Sequence, residues 1–249
     1  MPGCASRLPG SPLAGGEAAA AREAFRRLAG GQAACDRALD AEVSVSLSSP
    51  WRSGSLDGYL QLMAPGYLKF IAVSPLGQPL LLLGTDGSTV NYVVPAERRV
   101  YQGRADGETL ARFLPSGLDP ARSYYWLIGR LRPGQVRILE VAGEAGGTGT
   151  WVKFRHDDER RAELVLFDPA GGRLLRHRQL DEQGGVVFEA EYGEFTDGEC
   201  AAPGLVTLHG GRLYGTLTLR LDNRLPADSL RGEDFKIDAP PDFTRIPIP

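Results

Sequence analysis

The sequence contains few of the residues on which catalytic and metal sites depend. Its 249 residues include three histidines, three cysteines and two methionines, and its lysines are confined to Lys69, Lys153 and Lys236. It has no G-x-S-x-G elbow, Walker A loop, H-E-x-x-H, C-x-x-C or dinucleotide fingerprint. These absences argue against an enzyme, and we expect neither catalytic residues nor a cofactor.

Long apolar runs and concentrated positive charge are also missing. No run approaches the roughly eighteen apolar residues that a membrane-spanning helix requires. The formal net charge is −3, the pI is near 5.7, and the basic residues form no long run. The chain therefore lacks the electrostatic footprint of a nucleic-acid-binding protein, and we expect no nucleic-acid partner.

The histidines give only weak evidence for a metal site. His156, His177 and His209 fall on three different predicted strands or strand ends. A metal ion could gather them, but isolated histidines on exposed strand positions are far commoner. Glu189 and Glu191 alternate with apolar residues, so we expect them to face solvent rather than to form a catalytic pair. No metal is therefore expected.

The sequence is rich in glycine and proline, the residues that favour turns. Its 32 glycines and 18 prolines are too many for a helical bundle. Between Gly54 and Gly103, short apolar runs alternate with turns such as 64–66, 74–77 and 84–87, which is typical of an antiparallel meander. The run Leu80–Leu83 is apolar on both faces and needs cover on both, by a helix of this chain on one side and by a ligand on the other.

The remaining segments complete a mainly β protein. Propensity and spacing predict a helix over Glu17–Asp40, a first strand over Val43–Leu47, a short helix over Asp106–Leu114, and a second short helix with Asp119 as N-cap, Pro120 at its first position and Gly129 just past its end. Further strands are predicted at Val136–Val141, Thr150–Arg155, Arg161–Phe167, Arg173–Leu180, Val186–Tyr192, Leu205–Leu208 and Leu213–Leu221. Together they predict a single large curled antiparallel sheet, an open, incomplete β-barrel, with an N-terminal helix and short helices covering its concave face.

Three regions follow from this assignment. Residues 1–16 are rich in Pro, Gly, Ser and Ala and predict a flexible tether. Residues 17–222 form the sheet domain, and residues 223–249 are a Pro-rich C-terminal extension that wraps the surface of the same domain.

One leucine stands in a turn. Pro75 and Gly77 force the Ser74–Gln78 loop to the surface, where Leu76 gains nothing from contact with water. Taken alone, the pattern favours a side chain that folds back onto the sheet.

The run SPLGQPLLLLGTDGSTVNYVVPAERRVYQG, a short helix and then YWLIGRL resemble the LolB family of outer-membrane lipoprotein receptors and the wider LolA/LolB superfamily. The shared features are the strand, Pro-Leu-Gly turn, strand, charged turn and strand, followed by a helix and a W-x-x-G-type segment. The resemblance covers roughly Val43–Leu221 and is sharpest over Gly54–Leu131. It departs from the simplest members in the long Ala-rich first helix and in the tail after Asn223.

The resemblance implies a lipid-anchored protein on the periplasmic face of the outer membrane of a Gram-negative bacterium. Such a receptor accepts acylated lipoproteins from a LolA-like periplasmic carrier into a hydrophobic cavity and releases them into the outer-membrane lipid. The family's membrane-inserting loop leucine maps onto Leu76. The Gly3-Cys4 pair, followed by a Pro-rich linker, makes Cys4 the expected lipidation site. The expected acyl-chain cavity is lined by Leu60, Leu62, Phe70, Leu81, Leu83, Tyr92, Trp126 and Trp151.

Several alternatives stay open at the level of sequence. Cys35 and Cys200 either form a disulfide or remain buried thiols. An envelope lipoprotein that binds a protein partner or a glycolipid, with a structural or stress-sensing role, is a second function. A hydrolase acting on envelope lipid or glycan is a third, and it requires carboxylates or a histidine converging in the cavity.

Overall fold

The computed structural model describes residues 8–35, 38–51, 53–105, 120–198, 200–210 and 215–248, with backbone only for residues 120–123. The predicted class is confirmed: the fold is mainly β, with one large sheet of fifteen strands that does not close and a helix near the N-terminus. Every strand pairing that the structure describes is antiparallel except the last one along the sheet.

The described helices and strands have the following bounds. The helices are α1 (Gly15–Ala33) and α2 (Pro120–Leu127), and single 3-10 turns occur at Pro95–Glu97 and Gly232–Phe235. The strands are β1 (Ser11–Pro12), β2 (Ala38–Ser48), β3 (Ser53–Met63), β4 (Tyr67–Val73), β5 (Pro79–Asp86), β6 (Thr89–Val94), β7 (Arg99–Arg104), β8 (Val136–Gly143), β9 (Thr150–His156), β10 (Glu163–Asp168), β11 (Arg173–Leu180), β12 (Val186–Phe195), β13 (Pro203–Gly210), β14 (Thr216–Leu225) and β15 (Thr244–Pro247).

The first helix ends earlier than predicted. The expected Glu17–Asp40 helix stops at Ala33, and residues 38–40 instead begin β2, where Asp40 pairs with Gln61 of β3. The Gln61 side-chain amide also donates to the Asp40 carboxylate at 2.8 Å. Pairing with β3 along all eleven residues of β2 outweighs the helical propensity of this segment, which is a weak local preference.

The chain divides into two compact units. The first contains the described residues of Met1–Cys35 and Gly129–Gly210. Its strands run in the order β1, β8, β9, β10, β11, β12, β13. Helix α1 packs on this sheet through Phe25, whose ring lies 5.2 Å from that of Phe154 and 5.9 Å from that of Phe167. Phe25, Phe154 and Phe167 are almost fully buried and form the centre of this unit's core.

The second unit contains the described residues of Asp36–Ile128 and Gly211–Pro249. Its strands run in the order β14, β2, β3, β4, β5, β6, β7, with β15 parallel to β7 at the edge. The C-terminal tail covers one face of this sheet. The tilted rings of Phe235 and Tyr67 have centroids 5.3 Å apart, and Lys69 donates to the backbone carbonyl of Asp234 at 2.7 Å. Gly84 leaves room there for Ile237, which a Cβ at position 84 would meet at 2.7 Å.

Some sequence-based predictions fall outside the described residues. The lipidation site Cys4, the helix over Asp106–Leu114 and the N-cap Asp119 belong to this group. The second predicted short helix is present as α2, and Gly129 follows it with φ +64°, as expected for a residue that ends a helix. Among the residues described, no helix has the length and apolarity needed to cross a membrane.

Candidate functional site

The second unit carries a broad apolar face. Residues that are directly paired between antiparallel strands point to the same side of the sheet, so the register assigns side chains to that side. Three cross-strand rows define what we call the apolar face: Ala41, Leu60, Phe70, Leu83 and Tyr92; Leu39, Leu62, Leu68, Thr85 and Val90; and Val43, Gly58, Ala72 and Leu81. All six strand residues expected to line the cavity in this unit lie on this one face.

Most of the apolar face is buried, and its exposed part lies beyond the third row. Leu62, Leu68 and Val90 of the second row are buried, and so are Val43 and Ala72 of the third. Leu60 and Leu83 are also buried, whereas Phe70, Tyr92 and Leu81 are half-buried. Beyond the third row, Val45 is half-buried and its partner Leu56 is exposed. The face is therefore most accessible at the end of the strands where the β2–β3 and β4–β5 turns lie.

The two tryptophans expected in the cavity occupy different environments. Trp126 lies on α2, is 3% exposed, and belongs to the same unit as the apolar face. Trp151 belongs to the first unit, where it packs with Ala142, Leu164 and Leu166. That small cluster lies on the opposite side of its sheet from Phe154, because successive strand residues point to opposite faces. Trp151 thus belongs to a different unit from the one that carries the apolar face.

The β4–β5 turn presents Leu76 to solvent. The Leu76 side chain is 86% exposed and does not fold back onto the sheet. The turn is held by the Ser74 hydroxyl oxygen, which accepts from the backbone N–H groups of Leu76 and Gln78, and by the Gly77 N–H, which donates to the Ser74 carbonyl at 2.8 Å. Gly77 adopts φ +75°, a conformation that glycine tolerates. The leucine is thus displayed by a well-hydrogen-bonded turn.

The first unit contains a disulfide. Cys35, just after α1, is bonded to Cys200, with a Cα–Cα distance of 5.6 Å and a sequence separation of 165. The sequence left this pairing open, since it gave no separation between the two residues. A disulfide of this kind persists in an oxidising compartment such as the periplasm.

Polar side chains are buried within the first unit, which the sequence did not predict. His156 and His177 were expected at exposed strand positions, and this expectation was wrong, because both are almost fully buried. His177 Nε2 lies 2.5 Å from Glu163 Oε2. His177 lies between Arg176 and Arg178, so the local sequence pattern indicated an exposed strand position. Only the register, which pairs His177 with the inward-facing Val165 and Ala190, places it inside.

Burial shifts the ionisation of two neighbouring groups. Desolvation lowers the pKa of His156, while the carboxylates of Glu163 and Glu159 oppose the shift and Arg132 adds to it. Burial also raises the pKa of Tyr192 well above 10, and the charge of Glu163 adds to this effect. At neutral pH these groups are therefore uncharged. The described residues contain no group of three or more His, Cys, Asp or Glu side chains that could hold a metal ion.

The glutamates of β12 face away from this core as predicted. Glu189 accepts from Arg178 Nε at 2.9 Å, and Glu191 lies 3.6 Å from Arg176. Their neighbours Phe188, Ala190 and Tyr192 are buried on the other side of the strand. The glutamates form ion pairs with arginines of β11, not a paired-carboxylate site.

Comparison with known proteins supports the fold assignment. No protein-family model matches the sequence, and no curated protein matches it either. Among solved structures, a LolA superfamily protein from Nitrosomonas europaea matches at 11% identity and a TM-score of 0.59, covering 85% of this chain and 97% of the other. A domain named for outer membrane lipoprotein sorting, from Vibrio parahaemolyticus, matches at 14% identity and a TM-score of 0.57, with the same coverage of both chains.

A DUF1329 family protein from Desulfovibrio piger is similar to the same degree. It matches at 11% identity and a TM-score of 0.58, covering 88% of this chain and 97% of the other. At such low identities the likeness establishes the fold alone. The resemblance to the LolA/LolB superfamily is confirmed at that level.

Proposed function

We propose that this protein is a lipid-binding receptor of the outer membrane that accepts acylated lipoproteins and helps to insert them into the bilayer. The observation that carries the proposal is the apolar face, on which Phe70, Leu81 and Tyr92 are half-buried and beyond which Leu56 is exposed. An acyl chain lying along such a face is held by area alone, since each buried CH₂ contributes about 0.8 kcal/mol. No catalytic group is needed for this activity, and we propose that the protein is not an enzyme.

Three further observations support the proposed location and partners. The disulfide between Cys35 and Cys200 fits an oxidising envelope compartment. One similar structure is named for outer membrane lipoprotein sorting, and another for the LolA superfamily. We propose a LolA-like periplasmic carrier as the donor, outer-membrane lipid as the acceptor, and Cys4 as the site of the lipid anchor.

The test is acyl-chain binding by the protein in solution. A fluorescent acyl probe is titrated, and the complex is then challenged with a triacylated lipoprotein and with its unacylated form. Displacement by the acylated form alone is the expected result. The half-buried Phe70 offers a specific variant: Phe70→Ala removes apolar contact area and lowers probe affinity about tenfold.

The matched control is Leu225→Ala. Leu225 is 60% exposed and pairs with Asp40 on β2, far from the turns at the open end of the apolar face. Probe affinity is expected to be unchanged in this variant. If the wild-type protein binds no probe, the receptor proposal is wrong, and binding of a protein partner becomes the favoured alternative.

A further inference from the structure

Two hairpin turns of the second unit lie at the same end of its sheet. Consecutive strands β2 to β5 are antiparallel neighbours, so the β2–β3 turn and the β4–β5 turn are on one side and the β3–β4 turn is on the other. The two turns carry large exposed apolar side chains: Trp51 is 80% exposed, and Leu76 is 86% exposed. Leu56 and Leu80 are exposed just behind them.

The β2–β3 hairpin extends beyond the rest of the meander at this end. The β3–β4 ladder stops at the pair Asp57 and Val73, whereas the β2–β3 ladder continues to the pair Ser48 and Ser53. The four residues from Ser53 to Leu56 add about 13 Å of strand beyond the β3–β4 ladder. Trp51 is thus held at the tip of a paired hairpin, at the same end of the sheet as the hydrogen-bonded turn that displays Leu76.

The charge of both segments suits a lipid surface. Residues 43–56 contain one basic residue, Arg52, and no acidic residue. Residues 70–85 contain no charged residue at all. Bacterial bilayers carry anionic headgroups, which repel carboxylates and attract arginine. Serines at positions 46, 48, 49, 53 and 55 supply a neutral polar surface compatible with the headgroup region. The other exposed leucine of this unit, Leu225, lies at the opposite end beside Asp40.

From these observations we infer that Trp51 and Leu76 form a two-point contact with the bilayer, in which Trp51 anchors the β2–β3 hairpin at the headgroup level. Tryptophan favours this level because its ring is largely apolar while its indole N–H remains hydrated. The inference rests on the proposed function, since it specifies how the receptor would meet its acceptor membrane. The Trp51 contact also orients the protein, so that the open end of the apolar face points toward the lipid.

The protein's own fluorescence tests the contact directly. Of its three tryptophans, Trp126 and Trp151 are 3% and 5% exposed, so Trp51 is the one accessible to a membrane. We expect vesicles of phosphatidylethanolamine and phosphatidylglycerol to shift the emission to the blue, and brominated acyl chains to quench it. Trp51→Phe is expected to abolish both changes while vesicle binding, measured by flotation, persists.

Affinity for the same vesicles gives the second readout. Trp51→Ser and Leu76→Ser are each expected to weaken vesicle binding about tenfold, and the double variant about a hundredfold if the contacts are independent. Leu225→Ser serves as the matched control and leaves binding unchanged. All three side chains are exposed, so the variants are expected to fold like the wild-type protein.

The outcomes separate this inference from the proposed function. Absence of both the emission shift and vesicle binding overturns the two-point contact, whatever the acyl probe does. Equal losses for Leu225→Ser and Trp51→Ser also overturn it, because they indicate non-specific adsorption. Conversely, vesicle binding through Trp51 without any acyl-probe binding supports the contact and refutes the receptor function.

Discussion

The imidazole Nε2 of His177 lies 2.5 Å from Oε2 of Glu163, and both side chains are almost fully buried in the first unit. A buried pair of this kind adds little net stability, because desolvation offsets the attraction between the partners. Removing one partner is costly, however, since the other stays buried and loses this hydrogen bond. The stability of the core is therefore expected to be sensitive to substitution of either residue.

Glu163→Ala is expected to lower the free energy of unfolding by about 3–5 kcal/mol. Glu163→Gln keeps a hydrogen-bonding group beside His177, so its loss is expected to be smaller. Urea unfolding followed by circular dichroism measures both values. The exposed turn residue Glu182 gives the control variant Glu182→Ala, which is expected to have almost no effect. Similar small losses for all three variants would show that the pair is unimportant for stability.

Phe25→Ala is expected to destabilise the protein by about 3–5 kcal/mol, because it leaves a cavity between α1 and the rings of Phe154 and Phe167. Thermal and urea unfolding provide the measurement. Glu23→Ala, on the exposed side of the same helix, removes only surface ion pairs with Arg26 and Arg27 and is expected to change stability by less than about 0.5 kcal/mol. A small effect of Phe25→Ala would mean that α1 is not part of the cooperative core.

Loss of the disulfide is expected to reduce stability without changing the fold. The double variant Cys35→Ser and Cys200→Ser frees a loop of 165 residues in the unfolded chain, and we expect a loss of about 2–5 kcal/mol. Melting temperatures of the wild-type protein with and without reductant give an independent measure. An unchanged melting temperature under reducing conditions would contradict this prediction, provided that mass spectrometry shows the bond to be reduced.

The pKa of His156 predicts how stability depends on pH. Because burial lowers this pKa in the folded state below its ordinary value of 6.5, the unfolded chain binds the proton more readily. The stabilisation is fully present above about pH 6.5 and is lost as the pH falls toward the folded-state pKa. His156→Gln is expected to flatten this loss, measured as the difference in melting temperature between about pH 7.5 and about pH 5.5. The same slope in both proteins would assign the effect to another group.

The β5–β6 turn depends on Asp86. Burial opposes ionisation of its carboxylate, but hydrogen bonds from the N–H groups of Thr89 and Ser88 and from their hydroxyls outweigh it and lower the pKa to about 2. The resulting stabilisation is present above the ordinary carboxyl pKa of 3.8 and is lost as the pH falls toward 2. Asp86→Ala is expected to cost about 1–2 kcal/mol at neutral pH. Unfolding at about pH 2.5 should show a much smaller difference between the two proteins.

Much of the fold could be predicted because the turns are chemically explicit. The strand Arg173–Leu180 was predicted with its observed bounds, since Gly-Gly turns stand on both sides of it. The end of α1 could not be predicted in this way. The segment 34–40 has no strong signal for the end of a helix. Its last residues become a strand because they pair with β3, from Ala38 opposite Met63 onward, and this pairing joins residues that are distant in sequence.

Part of the candidate site could be predicted from the alternation of apolar and polar residues along a strand. Leu60 and Leu62 alternate with polar neighbours, so their common face follows from the period of a strand. Trp151 could not be assigned, because it shares its face of β9 with Lys153 and Arg155, whereas Val152 and Phe154 lie on the other face. The buried pair of Glu163 and His177 depends on the register of two strands, and no pattern within either strand contains that information.

The C-terminal strand has a consequence for self-association. An uncovered edge strand offers its free N–H and C=O groups as a template for another chain. Along β7 this position is occupied in parallel by Thr244–Pro247, and the Ile248 N–H donates to the carbonyl of Gln102. Pro247 has no N–H to offer outward, so the added strand is a poor template for a further one. The tail thus protects this edge against sheet-to-sheet aggregation, and a chain cut before residue 240 would expose it.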